Sequence, residues 1–131
     1  MGKGLFDSAV KTSDAGNKYA AQALSDIAKS WNIEALEKHA SKEFQEQVKE
    51  ADLKVLLALY KEKLGTYKSA EPFTSSGIQA KTNNGESFVL ITTKAPAEFE
   101  KAKGTVTLEV INRNDQWKVL SIEVESDALK Q

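Results

Sequence analysis

At Gly65 the hydrophobic period of this chain changes, and that change constrains the fold more than any other feature. Up to it, Asp52 to Gly65 reads as one apolar helix, with Leu53, Leu56, Leu57, Tyr60 and Leu64 at helical spacing and Val55 and Leu59 widening the stripe. Only Lys54, Lys61, Glu62 and Lys63 remain for water, so the reading places this helix deep against other elements. Asp52 is the expected cap, and Gly65 the left-handed residue that ends the helix. After Gly65 the period is two. A helical half followed by a stranded half predicts an α+β domain in which three to four helices cover one face of a curved, four- to five-stranded antiparallel sheet.

The 131 residues suit one domain. The reading divides them into a loose N-terminal arm over 1–12 and a single domain over 13–131, with helices in 13–65 and the sheet in 66–126. Ser13-Asp14 is taken as the cap of a first helix running to about Ser30. Asn32 and Ser41 are taken as caps of two short helices carrying Ile33, Leu36 and Ala40, then Phe44 and Val48. Tyr67 to Phe73 reads as an edge strand weakened by Pro72, and Ser75-Ser76-Gly77 as a turn. Three further hairpin turns follow, at Asn84-Gly85, Lys101-Ala102 and Asn114 to Gln116, with an irregularity expected at Pro96.

Those turns predict a register. Ile78 pairs with Ile91 and Ala80 with Val89; Thr93 pairs with Val110 and Ala95 with Leu108; Val110 pairs with Leu120, Leu108 with Ile122 and Val106 with Val124. All of these fall on one apolar face, assigned to the helices. The other face is polar except for Phe88, Leu90, Ile111, Trp117 and Val119, a cluster that reads as a dimer or partner patch. The arm residues Leu5, Phe6 and Val10 are its competing cover.

Charge excludes little but is informative. Lysine and arginine number 18 against 19 aspartates and glutamates, evenly mixed, so no basic stripe suggests nucleic acid. The absence of cysteine removes thiolate and cysteine–metal chemistry. No apolar run reaches the roughly 20 residues of a membrane helix. A lone histidine, His39, is read as an ordinary surface residue near a helix end, with no acid that spacing would bring to it. No metal motif, nucleophile elbow or phosphate loop is present, so neither catalytic residues nor a cofactor are assigned.

Trp31-Asn32-Ile33-Glu34-Ala35-Leu36 with Ala40-Ser41 and Phe44, Leu64-Gly65, Ala97-Glu98-Phe99-Glu100-Lys101 before Gly104, and Trp117-Lys118-Val119 resemble the small bacterial domains of the NTF2-like, cystatin-like α+β superfamily. The resemblance implies a sheet wrapped around a cone-shaped cavity, frequent homodimers and an exported, periplasmic or secreted location. On this chain the cavity would be lined by Trp31, Tyr60, Ile91 and Leu108. Because its wall carries no acid, the reading favours a non-catalytic module that binds a small apolar ligand or a protein, and allows a homodimer. The alternatives are an enzyme of the ketosteroid-isomerase or dehydratase type and a cystatin-like inhibitor.

Overall fold

The computed structural model describes the backbone of residues 2–83 and 85–130, and side chains from Thr12 onward apart from Asn83. Four helices, α1 (Gly2–Ala28), α2 (Ile33–His39), α3 (Lys42–Gln47) and α4 (Glu50–Lys63), pack against a curved antiparallel sheet of β1 (Tyr67–Ala70), β2 (Thr74–Asn83), β3 (Glu86–Phe99), β4 (Lys103–Arg113) and β5 (Gln116–Glu125). A short 3-10 turn, Asp127–Lys130, follows. The long strand β3 is the spine: β1 and β2 pair with successive parts of one side of it, and β4 then β5 extend the other.

α1 begins at Gly2 and runs through the residues expected to form a loose arm. No proline interrupts Gly2 to Thr12, and the expected cap at Ser13 binds the Ser75 hydroxyl at 2.7 Å instead of its own helix end. The side chains of Leu5, Phe6 and Val10 lie outside the described residues. From Gly16 onward α1 buries a narrow face of small and branched residues, Ala20, Ala23, Leu24, Ile27 and Ala28, and it touches all five strands. Gly16 marks a close approach, since a Cβ there would lie 2.7 Å from Ile91 Cδ1 and 3.1 Å from the Trp117 ring.

The short helices start where the cap residues predict. Asn32 Oδ1 accepts from Ala35 N at 2.8 Å, and Ser41 Oγ accepts from Phe44 N at 3.1 Å. α4 starts earlier than expected: Lys49 holds the cap position without a side-chain bond, which leaves Asp52 within the first turn. Its buried stripe is also narrower than its composition suggests. Leu53, Leu57 and Tyr60 are buried within it and Leu64 just beyond it, but Val55 is 71% and Leu59 38% exposed.

In the sheet, β2 includes Ser75 and Gly77, so the expected turn there is a bulge in an edge strand. Pro96 leaves the β3–β4 ladder unbroken, pairing with Thr105. Its carbonyl accepts from Glu71 N at 3.0 Å, which puts its backbone groups on the β1–β2 side of β3, where the missing N–H falls in the gap between those strands. Ile78 pairs with Ile91 and Ala80 with Val89, as the sequence predicts. The β3–β4 turn is centred on Glu100-Lys101, one residue early, so Thr93 pairs with Leu108 and Ala95 with Val106. A displacement of two residues keeps every side chain on its face.

The β4–β5 hairpin differs more. Val106 pairs with Val124 and Leu108 with Ile122, but Asn114 and Asp115, both with left-handed φ of 55° and 61°, close a two-residue turn that pairs Arg113 with Gln116. The mismatch is absorbed by a bulge at Leu120, so Val110 pairs with Val119. Beyond the bulge the faces exchange: Trp117 and Val119 turn toward the helices.

Where the helical and stranded halves meet, Gly65 has φ +77° and a Cβ would stand 2.8 Å from Glu100 Cβ. Gly85 has φ +79° with nothing within 4 Å of such a Cβ. Both Gly→Ala changes incur a left-handed cost of about 1–2 kcal/mol, and overpacking at Gly65 adds about 1–2 kcal/mol more. Urea unfolding is therefore expected to show Gly65→Ala as the clearly more damaging of the two.

Candidate functional site

The residues expected to line a cavity are brought together, but as packing. Trp31, Tyr60, Ile91 and Leu108 are at most 5% exposed and belong to one continuous core. Trp31 sits in the left-handed region at φ 54°, and its Nε1 donates to Gly65 O at 2.8 Å. Its ring packs on Tyr60 and Phe99 at centroid distances of 5.2 and 5.9 Å. The Tyr60 hydroxyl accepts from Val124 N at 3.3 Å, and burial raises its pKa. Surface depressions of about 360 and 340 Å³ lie elsewhere, sharing Lys103 and Gly104 at one end of the sheet.

The expected outer-face patch is divided. Val119 is fully buried among the core residues, and Trp117 stacks on Tyr19 at 6.2 Å, because the Leu120 bulge turns both inward. Phe88 and Leu90 stay half-buried on the outer face beside Ile111, which is 2% exposed. Arg113 lies over the Phe88 ring, 5.2 Å from its centroid, and its terminal nitrogens bond to Glu43. Its Nε stands 3.0 Å from Glu86 Oε1 but outside hydrogen-bond geometry, so that contact is an ion pair only. Glu43 is held below the usual carboxylate range, chiefly by its bond to Arg113. The charges pin α3 across the end of the patch.

A chain of chemically capable groups was missed by sequence spacing. His39 is 9% exposed, with Nδ1 2.8 Å from the Tyr19 hydroxyl and Nε2 2.9 Å from Asp26 Oδ2. Gln22 Nε2 donates to the other Asp26 oxygen at 2.9 Å. The reading of His39 as a surface residue is therefore corrected. Tyr19, Gln22 and Asp26 lie at i, i+3 and i+7 on α1, a helical face that was the available signal. The bond from His39 holds the Asp26 carboxyl below the usual range, and burial pushes the Tyr19 phenol well above its ordinary value. A phenol in that state donates a hydrogen bond and is a poor nucleophile. The chain can pass a proton between Tyr19 and solvent at Asp26, but its packing role is plainer: it fastens α2 to α1. Next to it, Ser41 N donates to Val119 O at 2.8 Å, tying the α2–α3 link to the edge of β5.

A second polar chain lies between α1 and the sheet. Asn17 Oδ1 accepts from Thr93 at 2.7 Å and from Ser75 at 3.0 Å, which satisfies the fully buried Thr93 hydroxyl. Among the described residues no three His, Cys, Asp or Glu side chains converge as a metal would require. No described helix is long and apolar enough to cross a membrane.

No protein-family model and no curated protein matches the chain. Among solved structures it is similar to the Kfla4162 protein from Kribbella flavida, at 10% identity over 93% of this chain and 99% of that one, with a TM-score of 0.41. A likeness at that level adds nothing to the architecture described above.

Asp26 supplies a pH signature with a defined sign. Its folded pKa is depressed, so its contribution is complete above the unfolded value near 4 and is lost as pH falls through the folded value. Because Asp26 is 41% exposed, the contribution is on the scale of about 0.5–1 kcal/mol. Asp26→Asn is expected to be less stable at neutral pH and to lose less on acidification below pH 4, as measured by urea unfolding at both pH values.

Proposed function

We propose that the chain is a non-catalytic interaction module of the NTF2-like, cystatin-like kind, with the open β2 edge of its sheet as the recognition surface. One observation carries this reading: the positions that would line a catalytic cone are filled by buried side chains, whereas β2 is exposed over nearly its whole length. The Tyr60 hydroxyl, the polar group an isomerase-like cavity would draw on, is engaged with the β5 backbone. The outer-face cluster, without Trp117 and Val119, retains only Phe88 and Leu90 half-buried around Ile111. That is far less than the roughly 800 Å² per partner of a stable interface. An edge strand needs less apolar area, because its unpaired backbone groups supply the complement.

A photo-crosslinking side chain at Gln79 in β2 is expected to give discrete protein adducts in the cells that make the chain, while the same group at the exposed Glu123 of β5 gives none. Absence of adducts from Gln79, or a small molecule retained by the purified chain in native mass spectrometry and lost in Leu108→Ala, would overturn the reading.

A further inference from the structure

Along β5 the fold itself takes up the sheet edge: Ser41 N donates to Val119 O, and the Tyr60 hydroxyl accepts from Val124 N. Along β2 it does not. Every residue from Thr74 to Thr82 is exposed except the half-buried Ser75, and among the described residues no backbone hydrogen bond outside the β2–β3 ladder reaches the strand.

The hairpin register identifies which groups are open and how far they run. Asn83 pairs with Glu86 across a two-residue connection, the position of a mutually hydrogen-bonded pair. Bonding to β3 then alternates through Asn83, Lys81 and Gln79, so the N–H and C=O of Thr82, Ala80 and Ile78 face outward. The regular ladder stops at the bulge, where Gly77 meets Thr92, Ser75 meets Thr93 and Ser76 is left over. Beyond it Thr74, paired with Lys94, turns its backbone groups toward β3. Ile78 to Thr82 is therefore the usable template, about 17 Å of strand.

The side chains around that template carry charge of one sign. Lys81 is the one charged residue of β2, and over the stretch of β3 from Ser87 to Lys94 the one charge is Lys94. Lys81 pairs with Phe88, and Lys94 shares the parity of Phe88 and Leu90, so both lysines belong to the outer face. Both are exposed, and among the described residues neither forms an ion pair. Glu86, the acid that opens β3, is engaged by Arg113. On the helix side of the same edge Ile78, Ala80 and Thr82 carry no charge, and Ile78 is 43% exposed.

We propose that the β2 edge takes an extended acidic segment of another protein, added antiparallel along Ile78 to Thr82, with carboxylates alternating on the outer face and β-branched residues opposite Ile78 and Ala80. This rests on the interaction-module reading and names the chemistry of its partner. In an antiparallel ladder each outward residue exchanges both backbone bonds with the residue directly opposite, and Thr82, Ala80 and Ile78 are spaced to do so. The backbone supplies affinity without regard to sequence, so selection falls to the side chains. A carboxylate opposite Lys81 makes a favourable cross-strand pair, and a β-branched residue opposite Ile78 covers its exposed surface. A basic segment would set like charges directly opposite each other.

The probe is a blocked, fluorophore-labelled peptide, Thr-Glu-Val-Glu-Ile-Glu-Thr, which in this register sets a glutamate opposite Lys81, valine opposite Ala80 and isoleucine opposite Ile78. Titrated with the full chain and followed by fluorescence anisotropy, it is expected to saturate, and the same peptide with lysines for glutamates to bind about tenfold more weakly or not at all. Lys81→Glu is expected to weaken the acidic peptide about three- to tenfold, while the same change of charge at the exposed Lys61 of α4 leaves it unaffected. Ala80→Pro, which removes an outward N–H and leaves the β2–β3 ladder intact, is expected to abolish binding with an unchanged circular dichroism spectrum. Lys81→Glu does not depend on proline being accommodated. Equal binding of the two peptides, equal losses in Lys61→Glu and Lys81→Glu, or full affinity in Ala80→Pro would overturn the acidic partner. So would a wild-type mass of twice 14.4 kDa in light scattering that falls to one chain in Ala80→Pro, since a second copy would then hold the edge. Discrete Gln79 adducts beside equal binding of the two peptides would leave the module reading standing and remove only the acidic partner, whereas absence of adducts strikes the reading itself and the proposal with it.

Discussion

The left-handed turn at Gly65 is the constraint on which the two halves of the molecule depend. Its positive φ ends α4, and its lack of a side chain lets the β3–β4 turn approach until Glu100 Cβ would touch any Cβ placed there. Closeness is then used for hydrogen bonds: Lys101 N donates to Leu64 O and Glu100 N to Thr66 O, each at 2.8 Å. The Gly65 carbonyl takes the Trp31 indole N–H, so the end of α1 is fastened at the same point. Three segments more than thirty residues apart in the chain meet over two peptide units. The cost includes Trp31 itself, a bulky residue held at φ 54°. That strain is tolerated because the ring fills the space between α4 and β3, against Tyr60 and Phe99.

What was legible in the sequence depended on local chemistry. Asn32 and Ser41 marked helix starts because a cap bond is made three residues away, within the reach of a short pattern. Gly65 marked the change of period. The α+β layering followed from that change, and the pairing of Ile78 with Ile91 from the connection between Asn83 and Glu86. The exchange of faces in β5 has one cause. Val119 and Leu120 are adjacent and both apolar, so either could face the core; only the two-residue turn at Asn114 and Asp115 decides which, by demanding a bulge. Trp117 changed faces with it, and two of the five residues expected on the outer face joined the packing on the other.

Long-range polar contacts were beyond the sequence for a different reason. Asp26 reaches His39, Asn17 reaches Thr93, and Glu43 reaches Arg113, pairs separated by 13, 76 and 70 residues. No periodicity encodes such separations. They also explain why cap-type residues sit inside α1: Ser13 and Asn17 direct their polar atoms to β2 and β3, so neither competes for its own backbone. Even α4, the most apolar helix by composition, leaves Val55 exposed, because the Leu53, Leu57, Tyr60 and Leu64 stripe alone meets the core.

The same geometry separates a braced edge of the sheet from an open one. Around β5 the fold spends its polar groups inward: the α2–α3 link pairs with Val119, Tyr60 closes Val124, and His39 clasps α1. Around β2 only Ser75 is engaged, at the end of the strand nearest the core network, and the rest of the hairpin carries its ladder to β3 and little else. A strand so placed is ordered by one neighbour and open to another. The bulge at Ser76 bends one end of it, and Lys81 charges the other, both devices that discourage indiscriminate edge pairing. Between them lie Ile78 and Ala80 with outward backbone groups, uncharged and unbulged. An edge bent at one end and charged at the other leaves only its centre as unpaired, regular strand.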